Sequence, residues 1–329
     1  MSDIARELGV STVTVSKALS GKEGVGKDLR KSIIQKAEAM GYVYNSLPRS
    51  MLKGRTYNIG ILIASKYLGE NSFYWIFYQR LLQTLKGTSY TGILEVVNDD
   101  DETACAAPSI VAANKIDGLI LLGQFSNPYL AAITGTIRQC VFLDFYSEIG
   151  RCDCVASNTF LGSYYLTRML LAAGHSRIAF IGSIPATTSI IDRYMGYCKA
   201  MLEAGIPYDA AIDDRDSRGV YLTELRLKIG SYTAYVCNND QVAGGVIRQL
   251  RRNGLAVPAD ISLVGFDNES EAVTDGVGVT SLEVNIDQMC GKSIGTLIQH
   301  IESDDYGLPG ISFVDGKIVV KQSIAPPRA

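Results

Sequence analysis

Residues 57–329 alternate short aliphatic runs with longer amphipathic stretches, and this alternation constrains the fold more than any other feature. Because parallel strands need crossover connections, strands alternating with helices predict doubly wound, parallel α/β sheets. The predicted strands are Ile59–Ile63, Ile93–Val97, Gly118–Leu122, Val141–Asp144, Ile178–Ile181, Ala234–Cys237 and Ser262–Phe266. The predicted helices are Tyr74–Lys86, Thr159–Ala173, Arg193–Ala204 and Gln241–Asn253.

The alternation forms two sets that divide near Ser157, which predicts two lobes. Ligands of open α/β sheets bind at the carboxyl ends of the strands, so a cleft between the lobes is the expected ligand site. Neither GxGxxG nor GxxxxGK occurs, so no nucleotide-phosphate loop is predicted.

The first 56 residues follow a different pattern, that of a helix-turn-helix. Ala5, Gly9 and Val15 have the spacing of this motif, whose second helix lies in the major groove of DNA. Gly9 suits the left-handed backbone that ends a first helix. The predicted helices are Asp3–Leu8 capped by Ser2, Thr12–Ser20 capped by Ser11, and about Lys27–Met40 with a buried stripe of Leu29, Ile33, Ala37 and Met40.

Charge separates the same two parts of the chain. Residues 1–56 carry ten Lys/Arg and five Asp/Glu (net +5), whereas residues 57–329 carry 21 and 29 (net −8). A basic head on an acidic body favours a polyanion as partner of the head alone.

The exposed start of the second helix supplies candidates for contacting DNA. Lys17 suits guanine acceptors, Val13 suits a thymine methyl, and Thr12 also faces the base edges. Thr14 and Ser16 are better placed for phosphate oxygens. The alternative is that all five are ordinary surface residues of a structural helix pair.

Several short motifs extend this pattern. They are Asp3-Ile4-Ala5, Gly9-Val10-Ser11, Thr14-Val15-Ser16, Gly41-Tyr42, Asn45, Arg49-Ser50 and Gly54-Arg55-Thr56. In this order they resemble the LacI/GalR family of bacterial repressors. The resemblance implies a helix-turn-helix domain at residues 1–44, a hinge at 45–56 and a periplasmic-binding-protein-like body at 57–329. It implies a first lobe of about residues 57–157 and 284–314 and a second of about 158–283 and 315–329.

The resemblance also implies how the hinge meets DNA. In the family the hinge forms a short helix on operator DNA and an apolar side chain wedges into the minor groove, where Met51 stands in this chain. Asn45 and Arg49 are the other implied DNA contacts of the hinge. The sequence departs from the family at Pro48, which either begins or shortens the hinge helix. It also departs at two further positions, Gly26 and Tyr44.

In the body, the resemblance assigns a set of polar and aromatic residues to an effector. They are Asn71, Phe73, Tyr74, Asp144, Arg193, Tyr221, Asp240 and Asp267. Carboxylates accept hydroxyl hydrogen bonds and aromatic rings cover apolar faces, so this set suits a sugar or sugar derivative. As alternatives, Asp240 caps the following helix and Asp267 holds a loop. Ser157-Asn158 departs from a frequent Asp-Asn of the family.

Other function classes lack their signatures. No nucleophile has a partnered base, so no enzyme is expected. His175 is expected to be structural, His300 to lie at the surface, and Asp99–Glu102 to open a helix rather than bind metal. A transporter's solute-binding protein would need a signal peptide and no DNA-binding head.

Cysteine usage and the N-terminus indicate the compartment. The seven cysteines are odd in number and form no CxxC pair, so neither disulfides nor zinc are expected. No secretory signal or bilayer-length apolar run is visible. We expect a cytoplasmic regulator without cofactor, metal or membrane contact. Two heads on a twofold-symmetric operator predict a homodimer, and the absence of a C-terminal heptad helix argues against a tetramer.

Overall fold

The computed structural model describes residues 1–19, 22–40, 42, 54–68, 73–216, 219–269, 276–303 and 308–328. The chain divides into two compact units, Met1–Thr56 and Tyr57–Ala329. No helix among the described residues is long and apolar enough to cross a membrane.

The first unit contains three helices: α1 (Ser2–Glu7), α2 (Thr12–Leu19) and α3 (Lys27–Ala39). Their shared core consists of Ile4, Ala5, Val15, Ala18, Ile33 and Ala37. The predicted cap of α2 is confirmed, because Ser11 Oγ accepts a hydrogen bond from Thr14 N at 3.0 Å. The predicted Ser2 cap is wrong, since α1 begins at Ser2 and Met1 precedes it without a side-chain cap.

The predicted stripe of α3 is only half correct. Ile33 and Ala37 are buried, whereas Leu29 and Met40 are 37% and 41% exposed. The core contributed by α1 and α2 is small, so it covers the middle of α3 and leaves both ends open to solvent.

The second unit contains eight helices and eleven strands among its described residues. The strands are β1 (Asn58–Ala64), β2 (Thr91–Val97), β3 (Gly118–Leu122), β4 (Cys140–Leu143), β5 (Asp153–Ser157), β6 (Ile178–Ile181), β7 (Ala234–Cys237), β8 (Ser262–Phe266), β9 (Thr280–Glu283), β10 (Ile311–Val314) and β11 (Lys317–Val319). The helices are α4 (Phe73–Leu85), α5 (Asp99–Thr103), α6 (Ser109–Ala112), α7 (Asn127–Thr134), α8 (Thr159–Ala172), α9 (Thr188–Glu203), α10 (Asp240–Arg252) and α11 (Ile286–Glu302).

These strands form two sheets, one in each lobe. The first has the order β10-β5-β4-β3-β1-β2 and is parallel throughout. The second has the order β11-β9-β8-β7-β6 and is parallel except for β11. The chain passes between the sheets three times: after β5, after β9 and after β10. The predicted class of two doubly wound parallel lobes behind a helical head is therefore confirmed.

Of the predictions for the two histidines, one is confirmed and one is wrong. His175 is structural as predicted, with Nδ1 2.9 Å from Thr233 Oγ1 and Nε2 2.9 Å from the Ala325 carbonyl oxygen. Burial lowers the pKa of His175. The surface prediction for His300 is wrong, because this side chain is buried and its Nε2 lies 3.0 Å from Asp153 Oδ2. The pair joins α11 to β5.

The acidic run after β2 forms the short helix α5, as predicted. Asn98 caps it by accepting a hydrogen bond from Asp101 N at 2.8 Å. In the part of the chain that the structure describes, no three His, Cys, Asp or Glu side chains are grouped as metal ligands.

Candidate functional site

Two aspartates occupy equivalent places in the two lobes. Asp144 directly follows β4 and Asp267 directly follows β8, with φ of 69° and 90°. Each backbone N–H extends the sheet, donating to Val155 O and Leu282 O respectively, both at 2.8 Å. Left-handed backbone is costly for residues other than glycine and concentrates at functional sites. The sheets therefore hold both carboxyl groups at the carboxyl ends of strands.

Both aspartates line one cavity of about 500 Å³ between the lobes. Its wall is mixed, with charged, amide, hydroxyl and aromatic side chains from both lobes. The residues are Lys66, Tyr67, Phe73, Tyr74 and Asp144 from the first lobe, and Thr187, Ser189, Ile190, Arg193, Arg215, Tyr221, Asn238, Asn239, Gln241, Asp267 and Glu269 from the second. This volume and polarity are typical of small-molecule sites.

Arg193 lies on α9 and is held by the second lobe. Its Nη1 donates to the Asn238 carbonyl oxygen at 2.6 Å, and its guanidinium lies 4.4 Å from the centroid of the Phe266 ring. Its Nη2 is 3.7 Å from Asp267 Oδ1, which is beyond hydrogen-bonding distance. Arg193 Nε and Asp267 Oδ1 are buried without a hydrogen bond among the described residues. This pair retains polar capacity for a ligand.

Asp144 is buried against an aromatic wall. Tyr74 Oη donates to Asp144 Oδ2 at 2.9 Å, and the Tyr67 and Tyr74 ring centroids are 4.8 Å apart. Burial raises the pKa of Asp144 to about 7, against the opposing effects of the Tyr74 hydrogen bond and the Arg193 charge. Burial also raises the pKa of Asp267, opposed by Arg193 and Arg215. Near neutral pH the site therefore holds both an acid and a base form of Asp144.

Tyr221 lines the cavity as predicted for a ligand residue, and the second lobe holds it in place. The Arg215 guanidinium lies 4.4 Å from its ring centroid and covers one face. The hydroxyl accepts hydrogen bonds from Arg215 Nη2 at 2.6 Å and Asn239 Nδ2 at 2.8 Å. One ring face therefore stacks on a protein cation, and the contact of Tyr221 with a ligand stays a prediction.

Asp240 does not line the cavity, which corrects its assignment as a ligand residue. Its Oδ1 accepts from Ser281 Oγ at 2.9 Å and its Oδ2 from Glu269 N at 3.1 Å. A Cβ at Gly265 would lie 2.2 Å from Asp240 Oδ1, so glycine makes room for the carboxyl group. Burial, reinforced by the charge of Asp267, raises the pKa of Asp240 to about 8. The alternative cap role is also wrong, because the N-cap of α10 is the preceding residue, Asn239.

Ten cavity residues were not predicted as ligand residues, among them Lys66, Arg215, Asn238 and Gln241. Lys66 follows β1 and Asn238 directly follows β7, so the strand-end rule contained the signal for both. Arg215 lies between regular elements, where the sequence shows no periodicity. The predicted Asn71 lies outside the described residues, whereas Phe73 and Tyr74 begin α4 at the cavity.

Within the described part of the chain, hydrogen bonds that involve side chains join the lobes. Thr188 N, at the start of α9, donates to Gln124 Oε1 at 2.8 Å. Tyr146 Oη donates to Asp192 Oδ1 at 2.8 Å. Tyr67 Oη donates to the Gln124 carbonyl oxygen at 2.9 Å, which connects a cavity residue to the first of these bonds.

The predicted DNA-contacting face of α2 is accessible. Thr12, Val13 and Lys17 are exposed, and Thr14 and Ser16 are half-buried. Val15, between them, is fully buried, so the helix presents one polar face and one core face. The predicted hinge contacts Asn45, Arg49 and Met51 lie outside the described residues.

Known proteins resemble both units. Residues 1–45 match the bacterial regulatory proteins of the lacI family, and residues 167–324 match a periplasmic binding protein-like domain. The HTH-type transcriptional regulator RegA of Clostridium saccharobutylicum is 30% identical over 284 residues, 82% of either chain. The HTH-type transcriptional repressor PurR of Glaesserella parasuis is 26% identical over 306 residues, 91% of this chain and 89% of its own.

Solved structures share the fold. A Lac repressor dimer bound to operator and the anti-inducer ONPF has a TM-score of 0.79 at 20% identity and covers 98% of both chains. A cellobiose complex of the regulator CelR has a TM-score of 0.67 at 20% identity, covering 97% of this chain and 98% of its own. A LacI family regulator from Enterococcus faecium with bound ribose has a TM-score of 0.69 at 20% identity, covering 82% of this chain and 100% of its own.

Proposed function

The chain belongs to the lacI family of bacterial regulatory proteins, DNA-binding regulators of transcription, and we propose that it is a repressor controlled by a sugar-like effector. The effector occupies the cavity between the lobes and changes the affinity of the head for operator DNA. The protein is a regulator and not an enzyme.

The observation that carries this proposal is a set of three buried, ionisable side chains at the cavity. Arg193, Asp144 and Asp267 come from different elements of two lobes and face one cavity of about 500 Å³. A ligand that bridges them contacts both lobes at once, so its binding free energy depends on how the lobes are arranged. This dependence is what an effector needs in order to act on a distant DNA-binding unit.

The chemistry of the wall supports a sugar. Carboxyl and guanidinium groups pair with hydroxyls, and the tilted rings of Tyr67, Phe73 and Tyr74 offer apolar surface. Two proteins of the same fold hold ribose and cellobiose. The cavity is therefore assigned to a small polyhydroxy compound.

The DNA side of the proposal uses the head and hinge. Thr12, Val13 and Lys17 contact base edges, and Thr14 and Ser16 contact phosphates. Asn45, Arg49 and Met51 of the hinge add contacts in the minor groove. Residues 1–44, 45–56 and 57–329 then act as DNA-binding domain, hinge and sensor body. A homodimer places two heads on a symmetric operator in the bacterial cytoplasm.

One experiment tests both the DNA-binding part and the effector-binding part of the proposal. An operator is selected from a random DNA library with the full-length chain, and sugars are screened by thermal shift, since a specific ligand raises apparent stability by mass action. Each stabilising sugar is then titrated into the protein–operator complex. We expect a palindromic site and a sugar that changes operator affinity at least tenfold. Selection without any sequence preference, or sugar binding that leaves operator affinity unchanged, contradicts the proposal.

A further inference from the structure

A second guanidinium, that of Arg215, lies in the cavity wall of the second lobe. Its backbone is fixed at the carboxyl end of β6, because Ser183 Oγ accepts hydrogen bonds from the N–H groups of Asp214 and Arg215, both at 3.0 Å. Ser183 N in turn donates to Asp214 Oδ1 at 2.8 Å. The position of Arg215 is therefore set by the sheet.

Tyr221 fixes the guanidinium itself. Arg215 and Tyr221 face each other across an isolated β-bridge. The guanidinium stacks at 4.4 Å from the ring centroid, and Nη2 donates to the hydroxyl at 2.6 Å. A side chain ordered in this way before binding loses little conformational entropy when a ligand arrives.

Among the described residues, neither cavity guanidinium has a carboxylate within hydrogen-bonding distance. Arg215 Nη1 is 3.6 Å from Asp214 Oδ2, and Asp214 already accepts hydrogen bonds from two other donors. Arg193 Nη2 is 3.7 Å from Asp267 Oδ1. Arg215 Nη1 and Arg193 Nε are buried and make no hydrogen bond with any described residue. Buried donors of this kind are costly, and an acceptor on the ligand removes the cost.

We propose that the effector carries an oxyanion, a carboxylate or a phosphate, that binds Arg215, so that it is an acidic sugar derivative rather than a neutral sugar. This inference rests on the proposed function, since it takes the cavity as the effector site. The planar guanidinium fork matches the oxygens of both anions. Lys66 adds a third cation from the opposite lobe, although its Nζ also lies 3.2 Å from Glu102.

Two of the three acids that line the cavity are compatible with such a ligand. Asp267 stands beside Arg193 and serves the hydroxyls of the sugar. Burial raises the pKa of Asp144 to about 7, so at neutral pH part of the population carries no charge there. The Arg215 end of the cavity is thereby the favoured position for the negative group.

Matched probes test the inference on the full-length chain by calorimetry. Glucose is compared with glucose 6-phosphate and glucuronate, and ribose with ribose 5-phosphate. In at least one set we expect an acidic member to bind about tenfold or more tightly than its neutral sugar, the effect of one charged hydrogen bond. The phosphate and carboxylate arms identify which oxyanion the site takes.

The variant Arg215→Met tests whether Arg215 binds the oxyanion. Methionine keeps much of the length and the packing on Tyr221 but removes the charge, so the preference for the acidic probe over its neutral sugar falls to about twofold or less. The matched control is Arg168→Met, at a half-exposed arginine of α8, which keeps the full preference.

The outcomes separate the two proposals. A neutral sugar that binds as tightly as its acidic counterparts overturns the oxyanion assignment and leaves the sugar-responsive repressor intact. An Arg215→Met chain that still prefers the acidic probe likewise overturns the assignment of the oxyanion to Arg215 and leaves the sugar-responsive repressor intact. If no sugar of either kind binds, both proposals fall. The probe comparison on the parent chain needs no variant, so a folding defect in Arg215→Met does not prevent the decision.

Discussion

Two aspartates of the cavity are held in states that cost free energy. Asp144 and Asp267 adopt left-handed backbone, and Asp267 Oδ1 is buried without a hydrogen bond among the described residues. A structural loop would be more stable with Gly or Asn at such positions. These unfavourable free energies are concentrated where the two lobes face each other. We therefore propose a ligand-binding role for these residues rather than a structural one.

Asp267→Asn and Arg193→Lys are expected to lose the ligand response. Each removes one charged hydrogen bond to the effector, worth about 1.5–3 kcal/mol, or roughly 10- to 150-fold in affinity. Operator binding without effector stays unchanged, because the DNA contacts lie in the separate head. Calorimetry with an identified effector measures the loss, and Asp287→Asn, at an exposed carboxyl group, is the control. Parent-like affinity in either variant would refute the site.

The raised pKa of Asp240 predicts that the stability of the body depends on pH. Its pKa is raised to about 8 in the folded body, whereas an unfolded aspartate titrates near 3.9. Between these values the folded state binds more protons, so this contribution is complete below about pH 4 and is lost as pH rises through about 8. The free energy of unfolding therefore falls toward alkaline pH.

Asp240→Asn should flatten that fall, since an amide does not titrate. Urea unfolding at pH 5, 7 and 9 measures it, with Trp75, the single tryptophan, as a probe within the body. Asp287→Asn keeps the slope of the parent. An Asp240→Asn chain with the parent's pH slope would show that this carboxyl group is ionised in the folded state.

At the scale of elements, the contact of α8 and α9 positions Arg193. A Cβ at Gly196, one turn after Arg193, would lie 2.1 Å from the Phe160 carbonyl oxygen. Since that atom is backbone, relief requires the two helices to separate. Glycine is thus needed at 196 for close approach.

Gly196→Ala is expected to destabilise the body by about 1–3 kcal/mol, through overpacking that exceeds the helix-propensity gain of alanine. It should also weaken effector binding, because α9 carries Arg193. The control is Gly295→Ala on α11, where an added Cβ meets nothing within 4 Å. That variant is expected to be neutral or slightly stabilised in the same urea titration. Equal stability of the two variants would contradict the proposed contact.

How far elements follow from sequence depends on their composition. All seven predicted strands exist. Six of them are apolar runs that are buried on both faces, and the seventh, β2, lies at the edge of its sheet and is only partly buried. Four strands were missed: β5, β9, β10 and β11. They are short or mix polar residues, as in the DCVAS of β5, so their pairing is decided by the surrounding sheet rather than by local pattern. Likewise α9 begins at Thr188, five residues before the predicted start, because Thr187 caps it.

The prediction of the site residues shows the same difference between local pattern and surrounding structure. Residues that end or directly follow predicted strands, such as Asp144 and Asp267, were placed at the cavity from sequence. Asp240 was misplaced, because the choice between Asn239 and Asp240 depends on which way the first turn of α10 faces. Arg215 was missed, because its place depends on Ser183 and Tyr221, 32 residues before it and 6 after it.

At the scale of the whole molecule, the helix-turn-helix unit and the two-lobed body are separate compact units, and the proposed effector site lies between the two lobes of the body. The chain passes between the sheets three times, and hydrogen bonds such as Thr188 to Gln124 bridge the lobes. An effector that contacts both lobes competes with or reinforces such bonds. In the proposed function, the effect on DNA passes through residues 45–56, the hinge that the resemblance implies.

Lys17 and Met51 are expected to act on DNA through different physics. Lys17→Ala should relax preference at particular major-groove positions, at about 1–3 kcal/mol per contact. Met51→Ala should weaken operator binding and reduce the central bend while leaving half-site preference unchanged, because a wedge responds to deformability and not to base edges. Selection from a random DNA library and a bending assay on the selected site separate the two, with Lys27→Ala, at the start of α3, as the basic-residue control. A Met51→Ala chain that binds and bends the operator like the parent would mean that the hinge inserts no wedge, and that the head alone carries recognition.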